Sequence, residues 1–171
     1  MSNPRYMHTL YCDDIRQEAN GKAIYIGVYG NTMNITVDEA AFKENNGVVV
    51  PRLCLVTQLS SPASEPMKKI DFSINLDGEA VSQFSAEMPP LPEDQSIRYQ
   101  TCNIVNTISL TLRASSRLSV TAKIGDQEIE GPGLAIRLAL RRPAAQAQEA
   151  ASEPASEPAQ PEVASEEKAA S

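Results

Sequence analysis

The residues best suited to chemistry in this 171-residue chain lie close to its amino terminus. Asp13 and Asp14 are adjacent carboxylates, and Arg16 is near enough along the chain to pair with either of them. Carboxylates in such a position accept backbone N–H groups of a turn or hold a neighbouring cation. The pattern therefore predicts a charged knuckle that fixes the crossing from the first strand to the second, and it leaves open a role in binding a partner.

The residues around this knuckle do not indicate a metal-binding site or a catalytic nucleophile. Calcium requires six or more oxygen ligands, and the only further acids to recruit are the distant Asp71, Asp77 and Asp126. The single histidine, His8, lies in no catalytic motif, and no two cysteines form a CxxC pair. We therefore expect no catalytic residue, no cofactor and no metal, and we expect buried thiols at the cysteines. The cysteines are Cys12, Cys54 and Cys102.

Tyrosines provide a second candidate contact surface. Tyr25 and Tyr29 alternate with the apolar residues of segment 24–28, so in an extended strand they lie on the opposite face, with Tyr11 nearby. Amphipathic aromatic side chains are enriched at protein interfaces. The spacing predicts either an exposed tyrosine patch or a face covered by the helical segment that follows.

The same region carries a family resemblance. It combines the block Tyr11-Cys-Asp-Asp-Ile-Arg16, the step Gly21-Lys22 and an apolar strand that ends in Gly27-Val28-Tyr29. This combination resembles a bacterial family of uncharacterised proteins, known as a domain of unknown function, whose members begin with a similar block. The match covers roughly residues 9 to 29. The resemblance implies a bacterial, mostly β, cytoplasmic protein and transfers no catalytic residue.

Charge and composition divide the chain into two parts. The chain has 15 basic and 22 acidic residues and a net charge of −7, which argues against binding to a nucleic-acid backbone. Residues 143–171 are rich in Ala, Glu, Pro and Ser and have little apolar surface to bury, so we expect a disordered acidic tail. The predicted folded domain is therefore residues 1–142.

No apolar run is long enough to cross a membrane, and the first residues lack the apolar stretch of a signal peptide. These features predict a cytoplasmic protein and argue against a membrane as its partner. The expected partner is an unknown protein or a second copy of the chain.

Alternation of apolar and polar residues with a period of two predicts the fold class. Strands 24–28 and 33–37 are expected to form a hairpin through Gly30-Asn31, and strands 70–76 and 80–85 a second hairpin through Asp77-Gly78. Prolines are expected to exclude strand pairing over 60–66, and Pro51 to lie at the start of a strand. A short helix is expected over 38–46. Further strands are predicted at 6–12, 53–56, 97–105, 107–112, 118–124 and 134–140.

Antiparallel strands in this number bury their apolar faces most simply in two stacked sheets. The sequence therefore predicts an all-β, antiparallel two-sheet β-sandwich, immunoglobulin-like or C2-like, with one short connecting helix. Because the sequence contains no recognisable set of catalytic residues, a non-catalytic interaction module is the favoured function. The alternatives are a C2-like module that binds a ligand, calcium or a membrane surface, and an enzyme of unrecognised type.

Overall fold

The computed structural model describes residues 4–92 and 96–142. The tail predicted at 143–171 lies outside the described residues, and the described residues up to Arg141 belong to one compact unit. The strands are β1 (Tyr6–Cys12), β2 (Asp14–Gln17), β3 (Ala23–Ile26), β4 (Thr32–Asp38), β5 (Val48–Pro62), β6 (Lys69–Leu76), β7 (Glu79–Glu87), β8 (Tyr99–Leu112), β9 (Ser116–Ile124), β10 (Gln127–Glu130) and β11 (Leu134–Arg141), and the helix is α1 (Glu39–Glu44).

The described strands form three sheets. A three-stranded sheet has the order β1-β5-β8, a larger sheet has the order β4-β11-β9-β6-β7 with β10 paired to β9, and β2 and β3 pair only with each other. The expectation of a mostly β chain with one short helix is confirmed. The expectation of purely antiparallel pairing is wrong at one place, because β11 runs parallel to β4.

Side chains from the three-stranded sheet and the larger sheet meet in one hydrophobic core. The strands contribute alternate residues, as the period of two requires. In β8, for example, burial alternates along the whole strand. The fully buried large side chains are Tyr11, Leu53, Leu55, Leu59, Met67, Ile70, Phe72, Ile74, Leu112, Leu118, Leu134 and Ile136.

The hairpin predicted at Asp77-Gly78 is confirmed. Strands β6 and β7 pair antiparallel, and Asp77 and Gly78 have φ angles of 53° and 89°. Positive φ at both central residues matches the twist of the flanking strands, and Asp-Gly is a preferred dipeptide for it. Local sequence was sufficient here because the turn residues themselves encode the required backbone conformation.

The hairpin predicted between segments 24–28 and 33–37 is wrong. Strand β3 pairs with β2, whereas β4 pairs with β11 in the larger sheet. Gly30-Asn31 therefore belongs to a crossing between sheets, where the Asn31 carbonyl accepts a hydrogen bond of 2.8 Å from the Ala135 N–H. A two-residue turn would have left β11 without its partner at this edge.

Two strands are longer than the sequence predicts. Strand β5 continues to Pro62, so strand pairing is not excluded at the start of segment 60–66. Pro51 lies inside β5 rather than at its start, where the register with β8 shifts between Val50 and Leu53. A bulge tolerates proline because the local ladder is already interrupted. The two strands predicted at 97–105 and 107–112 are one strand, β8.

The helix predicted over 38–46 is confirmed as α1, which packs against β4 and β11. Asn45 and Gly47 close its carboxyl end, with Gly47 donating to the Phe42 carbonyl at 3.0 Å. No helix among the described residues combines the length and apolar character needed to span a bilayer.

Candidate interaction site

The region of the predicted knuckle is a single bent hairpin. Strand β2 continues from β1 after a bend at Asp13, and β3 with the residues that follow it runs back along both strands. Asp14 lies opposite Ile26, and in the same register Tyr11 lies opposite Tyr29. The Asp13 N–H donates to the Ile26 carbonyl at 3.0 Å, so pairing continues through the bend. We call β2, β3 and Val28 the projecting hairpin.

The bend depends on Gly27, which lies opposite Asp13. Gly27 has a φ angle of +64°, and a Cβ atom there would come within 1.9 Å of the Asp13 Oδ2 atom. The Asp13 carboxylate therefore occupies the space that any other residue at position 27 would need. Both the backbone conformation and the close approach call for glycine. This role of Gly27 was not predicted, although an isolated glycine inside a strand pattern is the signal for such a feature.

The two adjacent aspartates have different partners. The Tyr29 hydroxyl donates to the Asp13 carboxylate, whereas the Asp14 carboxylate pairs with Arg52 at 2.8 Å and Arg16 at 3.5 Å. The predicted pairing of Arg16 is thus present with Asp14. The expected bonds from turn N–H groups to these carboxylates are absent among the described residues. The backbone groups there pair across the hairpin instead, which leaves the carboxylates for side chains.

The predicted tyrosine patch does not form as an exposed surface. Tyr11 is buried, and its hydroxyl donates to the Pro132 carbonyl at 3.0 Å. Tyr29 is half-buried against Asp13, so only Tyr25 is exposed. Burial raises the pKa of Tyr11 to about 12. Burial, and then the hydrogen bond to Asp13, raises the pKa of Tyr29 to about 12. The alternative of coverage by the helix is also wrong, because α1 packs against β4 and β11.

The cysteines lie where the sequence predicted them, in buried positions as free thiols. Cys12 lies opposite Cys54 at the end of the β1–β5 ladder. The Cys54 thiol lies 3.6 Å from the Asp13 carbonyl, to which it donates. Burial, followed by the neighbouring Cys54 and Asp13, raises the pKa of Cys12 to about 11. The bend thus closes over two buried thiols, which act as small apolar side chains.

The projecting hairpin exposes apolar surface. The side chains of Ile24, Tyr25, Ile26 and Val28 are between 36% and 53% exposed. The alternation predicted a buried face for the two isoleucines and the valine, and that is wrong. Strand β3 pairs only with β2 and belongs to neither the three-stranded sheet nor the larger sheet. Sequence alternation shows that a strand has an apolar face but does not show what covers it.

A cleft of about 510 Å³ adjoins the base of this hairpin. It is lined by His8 and Tyr11 of β1, by Tyr29, by Arg117 of β9, and by Gly133 in the loop before β11. No three His, Cys, Asp or Glu side chains of the described residues converge as a metal-binding group. The Arg117 guanidinium lies against Gly133, within 3.0 Å of where a Cβ atom would stand.

No protein-family model matches the chain, and no curated protein matches it. The resemblance of residues 9 to 29 to a bacterial domain of unknown function therefore stays a prediction.

Proposed function

We propose that the protein is a non-catalytic interaction module and that the projecting hairpin is the surface that binds a protein partner. One observation supports this above all. Ile24 and Ile26 of β3 and Val28 shortly after it are all exposed, and β3 belongs to neither the three-stranded sheet nor the larger sheet. Contact of apolar side chains with water is unfavourable, so covering them with a partner lowers the free energy. Clusters of such side chains at the surface therefore mark interaction sites.

The bend supports the proposal because it fixes the direction of the hairpin. Gly27 admits the Asp13 side chain, Tyr29 holds that carboxylate, and Arg52 on β5 holds Asp14. The ion pair between Arg52 and Asp14 joins the base of the hairpin to β5 of the three-stranded sheet. A surface that is already held in place loses less conformational entropy on binding.

The proposal includes the finer fold and the cellular setting. We propose that the two larger sheets stack as a β-sandwich, immunoglobulin-like or C2-like, since their buried residues share one core. The setting proposed is the bacterial cytoplasm. The three free thiols support it, because reducing compartments keep thiols unpaired.

The test compares two surface variants of the full chain. In the first, Ile24 and Val28 are both changed to Ser. In the control, Val81, which is 46% exposed on β7, is changed to Ser. Each variant and the parent chain are used as bait in bacterial extracts, and melting temperatures are measured on the same preparations. Recovered proteins are quantified by mass spectrometry, together with self-association of the bait.

We expect a protein recovered by the parent chain and by the Val81→Ser control to be lost with the hairpin variant, at unchanged melting temperature. Exposed positions should tolerate these changes without a large loss of stability. Equal recovery by all three baits would contradict the hairpin as the binding surface. Recovery of nothing above background by the parent would contradict the proposed interaction module in such extracts.

A further inference from the structure

Strand β8 is an edge strand with unusual composition. It spans 14 residues, pairs with β5 on one side, and has no strand neighbour on its other side among the described residues. The segment contains no charged residue and no proline. Natural proteins protect free edges with charges, prolines, short strands or bulges, because unpaired N–H and C=O groups recruit another strand. Strand β8 is long and carries neither charges nor prolines, and the extra residues of its one register shift lie on β5.

Burial along β8 shows where the edge is open. Alternate residues face the core, and near the two ends Cys102 and Leu110 are buried. Between them Ile104, Asn106 and Ile108 face the same way but are only half-buried. On the outer face Val105 is 62% exposed. The middle of the strand therefore presents apolar surface on both faces, next to a free backbone edge.

The sequence of β8 is chemically symmetrical about Asn106. Reading outward, Val105 corresponds to Thr107, and Ile104 to Ile108. The same holds further out, where the corresponding pairs are Asn103 and Ser109, Cys102 and Leu110, and Thr101 and Thr111. Two identical antiparallel strands related by a two-fold axis place such corresponding residues opposite each other. This symmetry points to one occupant, a second copy of the chain.

We propose that two copies of the protein pair antiparallel through β8, about a two-fold axis at Asn106, and join their three-stranded sheets into one six-stranded sheet. In this register Ile104 of each copy packs on Ile108 of the other, and every remaining pair from Thr101 to Thr111 is polar with polar, apolar with apolar, or β-branched with β-branched. No like charges meet. About eleven residue pairs at roughly 3.4 Å per residue give a ladder of about 37 Å.

Asn106 selects this register. Its side chain lies on the core side between the two isoleucines, and its amide has no hydrogen-bond partner among the described residues. On the two-fold axis it faces the same amide of the second copy, where each can donate to the other. A slip of one residue would move both amides away from each other and put every side chain on the wrong face. A single half-buried asparagine can specify alignment in this way.

The other edges of the larger sheets are protected. Strand β7 begins and ends with a glutamate, and β4 ends in Asp38, which is paired with Arg141. One end of β1 is covered by Tyr29, which donates its N–H to the Tyr11 carbonyl. Of the edges described, β8 is therefore the long uncharged one, and the proposed surface is separate from the projecting hairpin.

The first experiment measures oligomeric state by sedimentation velocity over a range of concentrations. The full chain is compared with Val105→Lys and with the control Val81→Lys on β7, and circular dichroism checks that each is folded. In the proposed dimer Val105→Lys brings two ammonium groups into diagonal positions across the new ladder. We expect a dimer for the parent chain and the control, and at least a tenfold weaker dimer, about 1.4 kcal/mol, for Val105→Lys.

The second experiment tests the register by cross-linking. Asn106→Cys places two thiols directly opposite each other at the axis, whereas Asn103→Cys places each thiol opposite Ser109 of the other copy. Under mild oxidation of the folded protein we expect a disulfide-linked dimer from Asn106→Cys and little from Asn103→Cys. This readout holds even if Val105→Lys fails to fold.

Three outcomes would overturn the proposal. One is a parent chain that stays monomeric up to about 100 μM, since an ordered strand pair of this length should associate more tightly than that. Another is a folded Val105→Lys variant that dimerises as well as the control. The third is cross-linking that is equal at positions 103 and 106, which would show that collision rather than a fixed register brings the thiols together.

Discussion

Gly27→Ala should destabilise the protein much more than Gly21→Ala, although both glycines lie in the same bent hairpin with positive φ angles of 64° and 80°. An L-residue in the left-handed region costs roughly 1–2 kcal/mol at either site. Removing a glycine recovers about 0.4–1 kcal/mol by restricting the unfolded chain, again at either site. The backbone contribution is therefore nearly matched, and Gly21→Ala should cost no more than about 1.6 kcal/mol.

The difference between the two sites lies in the space around each Cβ. Nothing lies within 4 Å at Gly21, whereas at Gly27 the Asp13 carboxylate would be 1.9 Å away. That carboxylate must rotate out and lose the hydrogen bond from Tyr29. A hydrogen bond to a charged group contributes about 1.5–3 kcal/mol, and partial exposure here favours the lower end. Gly27→Ala should therefore cost about 2–4 kcal/mol in total.

Urea denaturation followed by far-ultraviolet circular dichroism gives the free energy of unfolding for each variant. Absorbance titration of the tyrosines adds a local readout, because loss of the Asp13 contact should lower the raised pKa of Tyr29 toward its ordinary value. Asp13→Ala in the Gly27→Ala background should cost less than in the parent, with a coupling of at least about 1 kcal/mol. Equal stabilities and equal titration curves for the two alanine variants would refute the assigned role of Gly27.

Three further outcomes are expected. Folding stability should fall between about pH 10 and 12, because the pKa of Tyr29 is raised to about 12 in the folded protein. The stabilisation linked to the protonated Tyr29 hydroxyl is fully present below the pKa of the unfolded chain and is lost as the pH rises to the folded pKa. Tyr29→Phe should make the measured decline in stability less steep. Ile136→Ala should cost about 2–5 kcal/mol because Ile136 is buried, whereas Leu140→Ala on the exposed end of the same strand should cost under about 1 kcal/mol; equal losses in denaturation would contradict the assigned core. A thiol reagent should react slowly with the three buried cysteines in the folded protein and fully in denaturant, and rapid reaction of two of them without denaturant would contradict their burial.

Local sequence predicted those parts of the fold that depend on local physics. The turn at Asp77-Gly78 and the helix after Asp38 carry their own backbone preferences, so they were found. The parallel pairing of β4 with β11 was not, because strand patterns give no information about distant partners. The same reason explains why Gly30-Asn31 was interpreted as a hairpin turn when the chain there crosses between sheets.

The candidate site shows the same division. The pairing of Arg16 with Asp14 follows from closeness in sequence, and the structure contains it. The stronger partner of Asp14 is Arg52, 38 residues further on, and no pattern near either residue indicates that contact. Exposure of Ile24 and Ile26 was missed because burial is decided by the neighbouring elements, which the alternation of a single strand does not describe.

The parallel pairing of β4 with β11 also constrains how the protein is made. Arg141 at the end of β11 pairs with Asp38, which precedes it by 103 residues. During synthesis β4 emerges well before β11, so the larger sheet stays incomplete until β11 has also been translated. Strand pairs so far apart in sequence slow folding, because closing the long loop costs conformational entropy before the stabilising contacts can form. A nascent chain stalled before Leu134 would thus hold β4 as an unpaired edge, and in that state the protein would most need a chaperone.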